Sequence, residues 1–460
     1  MSSMTRIGAG EMSLEEIRSQ LETGTLNTVR EFLTDARIVN ACRDAGLVYR
    51  KRTLTPKVTA LHMVLSGLWP QASFAAAWQV LWDFMVSRCP AAAGESPSSG
   101  SLSKARQRLP VAFWDRLFHA LALEGQRLST DLDLWHGHRV VLLDGTCVSM
   151  PDAPELAEAF GRSGSPGRPG RFPLARVATT ALANTMTVLS YAAGPYRRDE
   201  NHLAQGLLKE LRPGDLVVAD RHFAGAARYA GFLEHGLDFL TRTHQRQIVE
   251  RLPRLFSFGP DDFVTDLPII SFYRHRDRPL PETVRVRMIR AVMEVRGKTG
   301  PVWLTTSLLD PERYPAAEVV ALYRRRWRIE TLFDEAKVKM SADVLRSRSP
   351  EGVLKELAAR MMAVNLVRMT ALRAARRSGE DPLRISFTAA ARAIIDFAPA
   401  MASAPAWKLP EIYNAMLTEI ASHLVPERPG RHEPRARRRA PPAYPTLRTT
   451  RRLWRLHHAA

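Results

Sequence analysis

Cysteine is scarce in the chain: Cys42, Cys89 and Cys147 are the only three, odd in number and far apart. They exclude a disulfide framework and fit a reducing cytosol. Long apolar runs are missing as well. The best candidate, Phe74 to Val86, is broken by Gln79 and Asp83, and nothing approaches the ~20 apolar residues of a membrane span. The N-terminus has no basic start followed by an apolar block, so secretion is not expected. No internal repeat is visible. Acidic charge is in deficit: 47 Asp plus Glu face 66 Lys plus Arg, a formal net charge of +19. Such an excess points to a polyanionic partner, nucleic acid or an anionic membrane. With no membrane segment, a cytosolic, soluble, basic protein is the expectation.

What is present can build cores, since 45% of the residues are hydrophobic and 25% charged. At ~150 residues per domain, the chain is long enough for about three units. Residues 1–89 read as helices. Thr55-Pro56 marks a helix start, and the basic residues Arg50, Lys51, Arg52 and Lys57 stand beside it. A linker and helical segment follow over 90–136, with the Pro, Gly and Ser-rich Pro90 to Ser103 as the linker itself. From Arg139 the texture is α/β until 349, with strands dominating 245–308. Helices return over 350–425. Residues 426–460 hold ten arginines against two glutamates, which reads as a flexible basic arm held to nucleic acid by charge. A solvated tail without function is the competing reading. The Gly161 to Pro173 segment reads as a mobile surface loop, or as a basic flap on a DNA backbone.

Two carboxylates stand out. Arg139-Val-Val-Leu-Leu-Asp144 and Leu216-Val-Val-Ala-Asp220 are short buried-strand patterns, each ending in an aspartate. Active sites of α/β sheets gather at that edge, although one strand-end Asp alone can be a turn or cap residue. A third carboxylate is supplied by Tyr323-Arg-Arg-Arg-Trp-Arg-Ile-Glu-Thr-Leu-Phe-Asp-Glu-Ala-Lys337. On a continuous helix turning about 100° per residue, Tyr323, Arg326, Glu330 and Lys337 share one stripe about 60° wide. Leu322, Ile329, Phe333, Ala336 and Met340 form an adjoining apolar stripe, while Arg324, Arg325, Arg328 and Glu335 point away. The competing reading is an amphipathic helix with a routine charged surface. Converging carboxylates repel unless a cation neutralises them, and all-oxygen ligands select Mg2+, with Mn2+ able to substitute. Two such ions can activate a water or a 3′-hydroxyl and stabilise the leaving oxygen of a phosphodiester. Tyr323, Arg326 and Lys337 beside them can hold phosphates.

Tyr323-x2-Arg326-x3-Glu330-x6-Lys337 resembles the Y-(2)-R-(3)-E-(6)-K signature of bacterial insertion-sequence DDE transposases of the family-four type. Leu142-Leu-Asp-Gly-Thr146 and Val218-Ala-Asp-Arg221 resemble the blocks that carry the first and second aspartates. The resemblance spans about Arg139 to Met340. It implies an α/β, ribonuclease-H-like catalytic core with a β-rich insertion, flanked by an N-terminal helical region over 1–89 that binds the DNA ends and a C-terminal one over 350–425 that serves dimerisation. It implies metal binding and catalysis by Asp144, Asp220 and Glu330, and a grip on the transposon-end DNA by Tyr323, Arg326 and Lys337. Trp303 resembles an insertion-domain tryptophan that stacks on a flipped base, with core packing as the competing reading. The implied protein is a Mg2+-dependent endonuclease and strand-transfer enzyme of cut-and-paste transposition. It would act as a homodimer on terminal inverted repeats and target DNA, in the bacterial cytoplasm at the nucleoid. A nuclease that only hydrolyses and a catalytically silent, transposon-derived DNA-binding protein are the alternatives. His136 and His138 read as surface residues, Cys147 as a packed thiol, and Arg221-His222 as a phosphate contact or a helix start.

Overall fold

The computed structural model describes residues 33–49, 53–69, 72–88, 95–130, 132, 134–165, 168–269, 281–295, 298–336 and 345–426. Arg50-Lys51-Arg52, Lys337, Met340 and the arginines of the tail lie outside them. The fold is mixed α/β, built on one large sheet with helices on both faces. Its helices are α1 (Asp35–Asp44), α2 (Pro56–Leu68), α3 (Phe74–Arg88), α4 (Ser99–Arg108) and α5 (Val111–Leu128) before the first strand. Then come β1 (Val140–Ser149), α6 (Pro154–Phe160), β2 (Arg162–Ser165), β3 (Arg168–Leu182), β4 (Val188–Pro195), α7 (Glu200–Leu208), β5 (Leu216–Ala219), α8 (Ala226–Glu234) and β6 (Asp238–Arg242). The chain continues through β7 (Phe256–Gly259), β8 (Asp262–Pro268), β9 (Thr283–Val295), β10 (Lys298–Thr306), α9 (Ala316–Arg324) and α10 (Arg328–Asp334). It closes with α11 (Pro350–Ser378), α12 (Phe387–Asp396), α13 (Ala398–Ser403) and α14 (Leu409–Ser422).

The sheet order is β2-β3-β1-β5-β6-β10-β9-β8-β7, with β4 on the other side of β3. At its centre β1, β5 and β6 run parallel. β5 is only four residues, all buried, the expected pattern for a central parallel strand covered on both faces. Side chains alternate along the strands, so each strand feeds two cores. Leu142, Val218, Leu240 and Leu304 enter one together with α2, α5, α9, α10 and α11. Val141, Leu143, Val217, Ala219 and Phe239 enter the other with α7 and α8.

α11 is the organising helix of the first core. Ser349 caps its start by accepting the Gly352 N–H, Pro350 occupies its first turn, and Gly379 ends it at φ +74°. Nearly every residue from Val353 to Ala375 is buried. It packs on α2 and α5 before the sheet and on α14 after it. Asn365 ties it to the sheet, its amide donating to the Val188 carbonyl at 2.9 Å while its oxygen accepts the Val188 N–H at 2.8 Å.

Several expectations change. The linker is shorter than Pro90 to Ser103, because Ser98 caps α4 by accepting the Ser101 N–H and the helix starts at Ser99. β1 does not stop at Asp144; it runs to Ser149 because β3 pairs with it along that whole length. The basic Gly161 to Pro173 segment is largely the β2–β3 hairpin rather than a loop, fixed in part by Arg162 on Asp152 at 2.6 Å. Strands dominate 245–308 as expected, and they extend the β6 edge of the sheet through β10, β9, β8 and β7. His138 is buried rather than superficial, between the Tyr314 hydroxyl at 2.8 Å and the Gly214 carbonyl at 2.9 Å. His136 is half-buried and meets Glu318 at 2.6 Å.

Candidate active site

Register brings the two aspartates together. Leu143 of β1 lies opposite Ala219 of β5 in a parallel pair, so Asp144 and Asp220 are the next residues at the same level on adjacent strands. Alternation then turns both toward the face that carries Leu142 and Val218. β5 ends at Ala219, and Asp220 becomes the cap of a 3-10 turn over Arg221–Phe223, accepting the His222 N–H at 2.6 Å. Arg221 and His222 thus begin a turn. Asp144 remains inside β1 and accepts the Gly145 N–H at 2.8 Å.

α9 and α10 cover this face. Leu322, Ile329, Phe333 and Ala336 are buried in the first core, as the apolar stripe predicts, and Leu332 is buried with them. The helix is not continuous, however. A 3-10 turn over Arg325–Trp327 separates α9 from α10. The tighter turn changes the angular phase, so a single continuous stripe does not hold. Tyr323 and Arg326 are buried, whereas Glu330 remains about half exposed, with 49% of its side chain open. Glu335, expected to point away, is buried against Arg368. Arg324 is exposed and donates to the Val292 carbonyl at 3.3 Å.

Arg326 links the acids. Its Nη1 lies 3.6 Å from Asp144 Oδ2 and its Nη2 lies 3.4 Å from Glu330 Oε1. Burial works against its charge, but Tyr323, Asp144, Asp220 and Glu330 outweigh that effect and hold its pKa above the ordinary arginine value. Its Nε is buried without a hydrogen-bond partner. Burial pushes the Asp144 carboxyl up to about 6, opposed by the Gly145 N–H and Arg326 and reinforced by Asp220 and Glu330. Burial likewise pushes the Tyr323 hydroxyl up to about 12, against Arg326 and Arg242. Tyr323 therefore stays neutral and props Arg326 from the core side.

Two residues of the neighbourhood carry no signal in the sequence. Arg242 ends β6 beyond Thr241, which pairs with Ala219, so it stands level with Asp220 and on the same face. Burial depresses its pKa, with Tyr323, Arg221, Asp220 and Arg326 as its ionisable neighbours. Glu200, first residue of α7, is pushed up to about 7, by burial first and then by Asp144, Asp220 and Asp199 against Arg176. Both approaches depend on sheet register, which no local pattern announces.

Among the described residues no three carboxylate, imidazole or thiol groups stand close enough to hold a metal ion as they are. The donor set nevertheless suits a hard cation, being all carboxylate oxygen. The Arg326 guanidinium stands in for positive charge between the first and third acids. Trp303 of β10 is half-buried and meets Phe263 edge to face, ring centres 5.7 Å apart. Among the described residues no helix is long and apolar enough to cross a membrane.

Comparison with known proteins converges on the same segment. The family described as transposase DDE domain matches residues 135–366, which include Asp144, Asp220, Tyr323, Arg326 and Glu330. The chain is 27% identical over 351 residues to the transposase InsG for insertion sequence element IS4 of Escherichia coli (strain K12), covering 75% of this chain and 77% of that one. It is 28% identical over 124 residues to the putative transposase InsZ of the same organism, covering 27% of this chain and 42% of that one.

Proposed function

Because the chain belongs to the transposase DDE-domain family, we propose that Asp144, Asp220 and Glu330 are its catalytic carboxylates, in a ribonuclease-H-like core that cleaves transposon ends and joins them to target DNA. The protein is a transposase, a DNA-cutting enzyme. The observation that carries the assignment is the parallel register setting Asp144 beside Asp220, with Glu330 joined to Asp144 through Arg326. The family uses a divalent metal. Mg2+ is the ion we assign, with Mn2+ as substitute, held by the three carboxylates. When bound, it lowers the pKa of a water or 3′-hydroxyl and stabilises the leaving oxygen of a phosphodiester.

The protein's own residues do the rest. Asp144 lies within β1 and Asp220 directly follows β5, where its side chain caps a turn, so both place charge with little freedom. Glu330 reaches in from α10, more open than Asp144, with 49% of its side chain exposed against 19%. Arg326 neutralises them until a cation takes its place on the carboxylates or a DNA phosphate draws it away, and Tyr323 and Arg242 back it from behind. Arg326, Tyr323 and Lys337 are the side chains we assign to the transposon-end backbone. Tyr323, being buried, acts there through Arg326. The terminal inverted repeats of the element are the proposed DNA ligand, engaged by a homodimer in the bacterial cytoplasm.

The test is strand transfer. The full chain, Mg2+ and a labelled duplex bearing the element's terminal inverted repeats should give joined products with a target plasmid. Nicked ends without joining would mean a hydrolase. Binding without either product would mean a silent DNA-binding protein.

A further inference from the structure

We propose that Glu200 is a fourth carboxylate of the DNA-cleaving centre, reaching it from the opposite face of the sheet to add an oxygen donor for a divalent cation beside Asp144 and Asp220. The inference rests on the reading of Asp144, Asp220 and Glu330 as cation ligands.

Glu200 opens α7, which packs on β3 and β4 and belongs to the second core, away from α9 and α10. Asp199 caps the helix by accepting the Asn201 N–H. A helix start favours an acid at this position. That explains the residue type but not where its side chain goes. Only 13% of the Glu200 side chain is exposed, so it runs along the sheet instead of into water.

Gly145 decides its destination. A Cβ at Gly145 would stand 1.2 Å from Glu200 Oε1 and 2.0 Å from its Cδ. The carboxylate therefore occupies the space that any other residue at 145 would fill, against the backbone next to Asp144. Its basic neighbours come from β3, which pairs with β1, and from the turn that Asp220 caps. Arg176 Nη1, on β3 beside β1, lies 3.5 Å from Glu200 Oε2, and His222 Nε2, two residues after Asp220, lies 3.6 Å from the same oxygen. Glu200 thus touches both aspartate-bearing segments.

An ion pair with Arg176 alone does not account for this placement. Setting a further buried carboxylate beside two aspartates raises the repulsion and desolvation that folding must overcome. A neutral side chain would meet the packing need without that cost. A divalent cation is the charge that offsets it, and hard-ion affinity rises with the number of anionic oxygens.

Mn2+ titration of the full-length protein without DNA, followed by electron paramagnetic resonance of free Mn2+, tests the proposal. Glu200→Gln keeps the shape and hydrogen bonding but not the charge, and should weaken Mn2+ binding by about tenfold or more. Asp144→Asn is measured in parallel. Weakened binding in Asp144→Asn with wild-type binding in Glu200→Gln overturns the inference and leaves the cation reading standing. Wild-type binding in both overturns the cation reading itself. Wild-type protein supplies a check that needs no variant: with Fe2+ and ascorbate, hydroxyl-radical scission should appear at 199–201 as well as around Asp144, Asp220 and Glu330. Scission around the three acids but none at 199–201 overturns the inference.

Discussion

Asp144 holds a sharp electrostatic conflict, since it is buried, faces two other acids and leans on one arginine. Its carboxyl titrates near 6, above the ordinary value of 3.8. A raised carboxyl pKa means that the folded state prefers the neutral form. Its ionisation thus opposes folding above about pH 6, and that opposition fades as pH falls toward 4. Without added cation, wild-type melting temperature should therefore rise relative to Asp144→Asn on going from pH 7.5 to 5.5. A constant difference between the two proteins across that range would contradict the assignment. Function should run the other way, because protons compete with the cation: Mn2+ binding should weaken as pH drops through about 6. At fixed pH, Asp144→Asn, Asp220→Asn and Glu330→Gln should each lower end cleavage by at least about a thousandfold, the equivalent of several kcal/mol. Gel-shift affinity for end DNA should change little. A single variant that still cleaves at a substantial rate with Mg2+ would remove that residue from the set.

The broken helix separates what sequence shows from what packing decides. Strand-forming runs and the fixed spacing from Tyr323 to Glu330 are local patterns, so Asp144, Asp220 and Glu330 are legible in the order of amino acids alone. The 3-10 turn at Arg325–Trp327 is not, because Arg-Arg-Arg-Trp contains no Gly or Pro to signal a break. The length of β1 is equally hidden, since Gly145 to Ser149 is mixed in character and is held as strand by β3. Arg242 and Glu200 depend on register and on Gly145. The turn has a measurable consequence. Arg326 faces inward to Asp144 and Glu330, whereas Arg324 faces solvent. Arg326→Ala removes the internal cation, so the protein without metal should lose stability while Mn2+ raises its melting temperature by more than in wild type. Arg324→Ala should leave both quantities near wild type. End binding should fall more for Arg326→Ala than for Arg324→Ala, measured by gel shift. Equal losses would contradict the inward phase of Arg326.

At the scale of the whole chain, the units expected from sequence share a core. α2 and α5 from before the sheet, the sheet itself, and α14 near the end all meet on α11. Because α11 is buried along nearly its whole length, the dimer proposed above would have to use other surfaces. Leu366 is fully buried on α11, one residue from the Asn365 tie to β4. Leu366→Ala should cost about 2–5 kcal/mol, visible as a single lowered denaturation midpoint for the far-ultraviolet signal and for tryptophan fluorescence. Two separate midpoints would show that the helical regions unfold independently of the sheet.

The basic arm poses the opposite problem, being charge without described structure. All core residues of the described chain lie between Leu33 and Ile420, so deleting 426–460 should leave the melting temperature near that of the full chain. The deletion removes ten arginines and two glutamates. Each DNA phosphate that the arm no longer neutralises should reduce the slope of log affinity against log salt by about 0.9 on duplex DNA. Affinity for non-specific duplex should therefore drop at low salt, and the deletion and full-length curves should converge as salt rises. Cleavage per bound end should persist, because Asp144, Asp220 and Glu330 remain. Fluorescence anisotropy with a random duplex across a salt series measures the slope directly. An unchanged slope with an unchanged melting temperature would mean that the arm does not touch DNA, and that the remaining charge of the chain carries the backbone contacts alone.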